Sequence, residues 1–173
     1  MKTVKLAAAC GALAALGACA TAAPGVAPAP AAGAPTSIAI SVGPCFGFCP
    51  VYDVRVAADG AVVFTGERHT AVLGTRERRA APDVYRALAA DLAPFRPADG
   101  STTAVPCTVS ITDMATYTIT WTGAAGQQTV ATHRGGCREG AGRDLDVVLR
   151  AVPQRLGIED WMRQTTRPGV SRG

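Results

Sequence analysis

The sequence predicts an α+β domain, with an antiparallel β-sheet of about 5–7 strands and two helices packed on one face of that sheet. Two observations lead to this fold class. Segments with period-two hydrophobic alternation form two groups, and each group is followed by a stretch with helical periodicity. The turns within each group are short, and short turns connect antiparallel neighbours. We therefore expect two hairpin groups, each followed by a helix, in one globular domain over residues 37–164.

The first group is predicted to contain four strands. They are placed at residues 38–42, 51–57, 61–66 and 69–73, with the fourth stopping at Gly74. Asp59-Gly60 divides the second strand from the third. This dipeptide between two alternating runs indicates a hairpin, because both residues tolerate a positive φ.

A helix is predicted to follow the first group. Pro82 suits the first helical position, where its missing N–H has no partner to lose. Val84, Leu88 and Leu92 then share one face. Pro94 is expected to end the helix.

The second group is predicted to contain strands at residues 107–111, 117–122 and 128–133, with a turn at residues 123–126. A second helix follows, and its apolar residues have helical spacing: Leu145, Val148, Leu149, Val152 and Leu156. Pro153 is expected to kink this helix or end it early. Trp161 is expected to pack back on the core as a lid.

Polar residues around the start of the second helix suggest structural roles. Asp144 and Asp146 are placed near its N-terminus, where carboxylates complement the helix dipole. The glycine-rich segment 135–140 could hold an anion through its backbone N–H groups. A surface loop held by a disulfide explains the same segment more simply.

The N-terminus has the pattern of a bacterial lipoprotein signal. Lys2 and Lys5 give a basic head, residues 6–16 an apolar run, and Leu16-Gly17-Ala18-Cys19 a small-residue cleavage site that ends in cysteine. The apolar stretch 6–18 is shorter than the roughly 20 residues of a transmembrane helix. Residues 1–18 are therefore predicted to be a signal peptide, with Cys19 lipidated. Ordinary cleavage after residue 20 or residue 22 is the alternative.

Composition extends this prediction to the rest of the chain. Residues 19–36 are rich in Ala and Pro, which is typical of a semi-rigid linker at about 3.1 Å per residue. Residues 165–173 are expected to form a flexible tail. Ala20 stands where some lipoproteins carry an inner-membrane retention signal, so we expect a lipid-anchored protein at the periplasmic face of the outer membrane. The mature chain would have 15 arginines against 13 acidic residues, a balance that does not favour a nucleic-acid partner.

The cysteines divide by position. Cys10 would leave with the signal peptide and Cys19 would carry lipid, so that four cysteines remain in an oxidising compartment. Four cysteines allow three connectivities. We favour Cys45 with Cys49, which a turn about Gly47 can bring together, and Cys107 with Cys137.

The segment 45–50 also permits a sharper interpretation. Its CxxxCP pattern resembles the copper-site motif of the Sco copper chaperones, which add a distant histidine. That resemblance implies a copper or thiol-redox site formed by Cys45, Cys49 and His133, and it is the alternative hypothesis for function. Against it, residues 51–56 alternate as a strand where that family has a helix.

A second resemblance covers more of the chain. Eight residues carry it: Cys45, Gly47, Cys49, Pro50, Tyr52, Asp59, Gly60 and Gly66. They are similar to the CxGxCPxY opening and following hairpin of an uncharacterised family of bacterial secreted proteins and lipoproteins, catalogued as a domain of unknown function. The resemblance implies an exported α+β domain and no established activity.

No catalytic constellation stands out in the sequence. It has no HExxH segment, no Walker loop and no GxGxxG segment after a strand. We therefore expect a non-enzymatic binding or structural domain of the envelope, without a cofactor or a resident metal. Its expected partners are the membrane, through the lipid, and an unidentified envelope protein or ligand.

Overall fold

Seven strands form one open sheet in the computed structural model of the chain, which describes residues 34–165, and the helices lie on one side of this sheet. The predicted α+β class and the expected number of strands are confirmed. The predicted signal peptide, Cys19, the linker up to residue 33 and the tail beyond residue 165 lie outside the described residues.

The strands are β1 Ser37–Val42, β2 Val51–Ala57, β3 Ala61–Arg68, β4 Gly74–Arg79, β5 Thr102–Ala104, β6 Thr116–Thr122 and β7 Gln128–Arg134. The helices are α1 Pro82–Leu92, α2 Gly140–Leu156 and α3 Glu159–Met162, with a short 3₁₀ turn at Ala93–Phe95 after α1. Across the sheet the strands follow the order β4-β3-β2-β1-β6-β7-β5. The central strand β1 therefore joins the two predicted groups.

The core lies between the sheet and the helices. Ile40 of β1 is paired with Val54 of β2 on one side and Ile119 of β6 on the other, and all three are buried. Such rows arise because alternate residues of adjacent strands point to the same face. Leu88 of α1 and Leu149 of α2 belong to the same buried cluster.

The prediction of a strand at residues 69–73 is wrong. His69 has a left-handed φ of 60°, and Thr70 Oγ1 donates to Val72 O at 2.7 Å, so the chain turns here. The strand begins at Gly74, where we expected it to stop, and runs to Arg79. All six residues of β4 are exposed, as suits a charged edge strand.

The prediction of a strand at residues 107–111 is also wrong. This segment forms a loop with an isolated bridge between Ser110 and Cys137. The added strand is instead β5, which pairs in parallel with β7, whereas all the other pairings of named strands are antiparallel. β5 has three exposed residues, too few to give a pattern of alternation.

Pro153 does not end or shorten α2, contrary to expectation. The helix continues to Leu156 and ends at Gly157, whose φ of 64° is the left-handed conformation that terminates many helices. Proline lacks only its own N–H donor, and the carbonyl of Pro153 still accepts from Ile158 N at 2.9 Å.

The hairpins and the lid match their predictions. Gly60 has a φ of 86° in the β2–β3 turn, and Gly126 N donates to Gly123 O in the β6–β7 turn. Trp161 of α3 packs on the core, with its ring 5.9 Å from that of Phe64. Within residues 34–165, no helix combines the length and apolarity that crossing a bilayer requires.

Candidate functional site

Large apolar side chains are exposed at one end of the sheet. The β1–β2, β3–β4 and β5–β6 loops all lie at this end, where β1 and β7 finish. Six of the seven exposed large hydrophobic residues described are on these loops, and together we call them the apolar loop patch: Phe46, Phe48, Leu73, Val109, Ile111 and Met114. The seventh, Val147, is on α2.

The Cys45–Cys49 disulfide closes the first of these loops. Its Cα atoms are 5.7 Å apart, and Gly47 between them has a φ of 137°, which favours glycine. This tight turn leaves Phe46 87% exposed. Phe48 meets the ring of His69 edge-on, with centroids 5.3 Å apart.

The Cys107–Cys137 disulfide holds the β5–β6 loop against the segment after β7. Its Cα atoms are also 5.7 Å apart, and Ile111 N donates to Gly136 O at 2.9 Å. Phe46 N donates to Asp113 O at 3.2 Å, which brings the first loop beside this one. The two disulfide-bonded loops therefore form one continuous surface.

A buried polar cluster lies beneath the second loop. Asp146 of α2 receives three hydrogen bonds: from His133 Nε2 at 2.9 Å, from Gly136 N at 2.9 Å and from Cys137 N at 2.8 Å. The side chain of His133 is 0% exposed and that of Asp146 is 6% exposed. The carboxylate thus joins β7, the following loop and α2.

This arrangement corrects two sequence interpretations. Asp146 does not serve the N-terminus of α2, because neither it nor Asp144 lies in the first turn. The backbone N–H groups of Gly136 and Cys137 do hold an anion, but the anion is the carboxylate of Asp146. His133 is a buried strand residue bonded to that same carboxylate.

Two tyrosines border the cluster. The Tyr117 ring stacks near His133, with centroids 6.4 Å apart. Burial raises the pKa of Tyr117, the negative Asp146 raises it further, and Arg150 opposes this increase. Burial also raises the pKa of Tyr52, with a smaller contribution from Tyr117. Both phenols stay protonated at neutral pH, so neither supplies a general base.

The first turn of α2 packs closely on the second disulfide. A Cβ added at Gly142 would lie 2.6 Å from Cys137 Sγ and 2.9 Å from Pro106 O. Glycine at this position therefore lets the helix approach the disulfide and brings Asp146 to its partners.

We expect Gly142→Ala to lower the free energy of unfolding by about 1–3 kcal/mol through overpacking. This change goes against the roughly 1 kcal/mol that alanine gains over glycine within a helix. Chemical denaturation measures it, with the neighbouring exposed Arg143→Ala as the control, expected within about 0.5 kcal/mol of the wild type. A more stable Gly142→Ala protein would contradict the close packing.

The predicted motif residues have mainly structural roles. Tyr52 is buried in the core, and Asp59 accepts a hydrogen bond from Ala61 N at 3.0 Å in the hairpin turn. A Cβ at Gly60 would collide with Ala80 O, and one at Gly66 would collide with Val72 O. These glycines allow neighbouring backbone segments to approach.

The structure brings different metal-ligating groups together from those of the copper hypothesis. Among residues 34–165, His133, Cys137 and Asp146 form the group of three potential ligands, and this group contains neither Cys45 nor Cys49. Sequence reasoning identified His133 but did not connect it to Asp146. The glycine-rich loop just before the helix was the signal that a nearby carboxylate could be bound.

A shallow cavity of about 330 Å³ lies elsewhere, between the segment after α1 and β5. Pro94, Pro97 and Pro106 contribute to its walls. Its charged side chain, Arg96, is paired with Asp99 at 2.6 Å. The cavity does not include residues of the apolar loop patch.

Comparison with known proteins gives a family without an assigned role. The sequence model of one family, described as "Domain of unknown function (DUF6438)", matches residues 36–155. The matched segment runs from the start of β1 almost to the end of α2 and includes both disulfides. No curated protein matches the chain.

Proposed function

The chain belongs to this family of unknown function, and from that premise we propose that it is a bacterial envelope lipoprotein, anchored through Cys19, that binds another envelope protein through the apolar loop patch and catalyses no reaction. The observation that carries the proposal is the concentration of exposed apolar side chains on loops at one end of the sheet. Contiguous apolar surface of this kind is typical of an interaction site.

The two disulfides support a binding role. They hold Phe46 and Phe48 in one loop, and Val109, Ile111 and Met114 in the other, before any partner arrives. Binding then orders fewer flexible groups, which reduces its entropic cost. Two disulfides are also typical of proteins in an oxidising compartment such as the bacterial envelope.

The position of the linker favours a protein partner over the membrane. The predicted linker joins the domain just before Ser37, and the patch lies beyond Val42 at the other end of β1. Six strand residues at about 3.3 Å each separate the two ends by roughly 20 Å. An anchored domain therefore directs the patch away from its own lipid.

The charge of the loops favours the same partner. Residues 43–50, 69–73 and 105–115 contain no Lys or Arg, and Asp113 is the acidic residue among them. Surfaces that bind anionic lipid usually carry basic residues beside their apolar ones. The partner that fits is a protein with an uncharged apolar groove.

Intact mass of the mature protein tests the anchor. We expect the native chain to begin at Cys19 and to carry the mass of acyl groups. Cys10→Ser should leave this mature mass unchanged, because position 10 is removed with the signal peptide. Cys19→Ser should abolish acylation, and an acylated Cys19→Ser protein would contradict the anchor.

Size-exclusion chromatography of the full lipoprotein, extracted in mild detergent, tests the binding role. We expect the native protein to elute as a complex larger than the protein alone. Phe46→Asp should shift it to the smaller size, while Val147→Asp, at the exposed apolar residue outside the patch, should not. Equal elution of both variants would contradict binding through the patch.

A further inference from the structure

The buried polar cluster contains the donor atoms of a metal site. His133, Cys137 and Asp146 each offer one ligand atom, and these atoms lie within 4.8 Å of one another. A sulfur, an imidazole nitrogen and a carboxylate oxygen are the ligands that Zn²⁺ takes in proteins. In the structure Cys137 is bonded to Cys107, and a cysteine binds metal as a thiolate.

We propose that the Cys107–Cys137 disulfide masks a Zn²⁺ site, which opens when the disulfide is reduced. A dithiol reductant gives two electrons and two protons, so that the S–S bond breaks, two thiols form and the reductant becomes a disulfide. Zn²⁺ then displaces the thiol protons. It is held by Cys137, His133 and Asp146, with Cys107 as the fourth ligand.

The location of Cys107 suits this role. Its Cα lies 5.7 Å from that of Cys137, so the freed thiolate starts beside the other ligands. Cys107 is partly exposed, whereas Cys137 is buried at 7% exposure. A reductant therefore reaches the Cys107 sulfur first, and Cys137 is released inside the cluster.

The surroundings of Asp146 and His133 prepare them as ligands. Gly136 N and Cys137 N both donate to Oδ2 of Asp146, which fixes the carboxylate and directs Oδ1 toward His133. Such supporting hydrogen bonds orient metal ligands. His133 Nδ1 is buried without a hydrogen-bond partner among the described residues, so no second contact opposes a small rotation of the ring. Zn²⁺ binding gives up one hydrogen bond, between Nε2 and Oδ1.

Two matched double variants of the full chain locate the metal. Cys45→Ser/Cys49→Ser retains only the proposed site, and Cys107→Ser/Cys137→Ser retains only the other pair. Each is reduced with a dithiol, freed of reductant without oxygen and titrated with Zn²⁺ alone. We expect the first variant to bind one Zn²⁺ per chain at least 100-fold more tightly than its oxidised form, and the second to show no such gain.

Adding Asp146→Asn to the first variant should weaken Zn²⁺ binding by about 10- to 100-fold, and circular dichroism shows whether that chain is folded. Cobalt substitution gives a readout that needs no further mutation. Reduced Cys45→Ser/Cys49→Ser with Co²⁺ should show the intense visible bands of tetrahedral coordination and thiolate charge transfer.

Three results would overturn the proposal. They are equal Zn²⁺ affinity before and after reduction, cobalt bands without thiolate character, and reduction-dependent binding by Cys107→Ser/Cys137→Ser. The last result would place the metal at Cys45 and Cys49, as the copper hypothesis requires. None of the three affects the proposed binding role of the apolar loop patch.

Discussion

Asp146→Ala is expected to lower the free energy of unfolding by about 3–5 kcal/mol, because it leaves His133 and two backbone N–H groups buried without their acceptor. This is a large part of the total stability of a domain, which is about 5–15 kcal/mol. Asp146 also connects α2 to the loop after β7, so the loss should loosen both elements. Urea denaturation followed by the fluorescence of Trp121, which is 1% exposed, measures the change.

Asp144→Ala is the matched control. Asp144 lies two residues earlier on the same helix, and its exposed side chain pairs with the exposed Arg143. Its removal should change the free energy of unfolding by no more than about 0.5 kcal/mol. Similar losses for Asp144→Ala and Asp146→Ala would show that the buried cluster does not hold the fold together.

The second large effect is expected from the Cys107–Cys137 disulfide. Its partners are 30 residues apart in sequence, against 4 for Cys45–Cys49. In the chain-entropy account the longer loop contributes about 3–4 kcal/mol and the shorter about 2 kcal/mol. Cys107→Ser/Cys137→Ser should therefore unfold at a clearly lower denaturant concentration than Cys45→Ser/Cys49→Ser.

Denaturation of the two double variants under oxidising conditions measures this difference. Reduced wild-type protein is the control and should be less stable than either variant. If Cys45→Ser/Cys49→Ser proved the weaker protein, the short disulfide would support more than the loop it closes. The first apolar loop would then be part of the folding core.

The sequence predicted those strands that have one buried and one open face. β2 shows why, since Tyr52, Val54 and Val56 are buried and alternate with exposed Asp53 and Arg55. The pattern disappears at the two edges of the sheet. β4 is exposed at all its residues and β5 has only three, so neither leaves a hydrophobic period to detect.

Proline was given too much weight within α2. Its sequence effect is local, whereas the helix is held by burial of Leu149, Val152 and Leu156 against the sheet. Packing of this kind outweighs the loss of one backbone hydrogen bond. Pro153 is itself buried near the end of the helix, where few later bonds depend on it.

The candidate sites depended on contacts that sequence cannot supply. The apolar loop patch combines residues from positions 46 to 114, and the exposure of Phe46 or Met114 follows only from how the loops pack. The link between His133 and Asp146 requires β7 and α2 to approach across a turn that closes on Gly136. By contrast, the two disulfide pairs join cysteines that sequence spacing already favoured.

The most direct test of the binding role is crosslinking in the living cell. A photoreactive phenylalanine analogue replaces Phe46 in the full lipidated chain, and in a second strain the same analogue replaces Val147, which is exposed but outside the patch. The account predicts one discrete protein adduct at position 46, reduced when Phe48→Asp is added, and no adduct at position 147. Equal adducts at both positions, a lipid adduct, a crosslinked second copy of this chain, or no adduct at position 46 would contradict it.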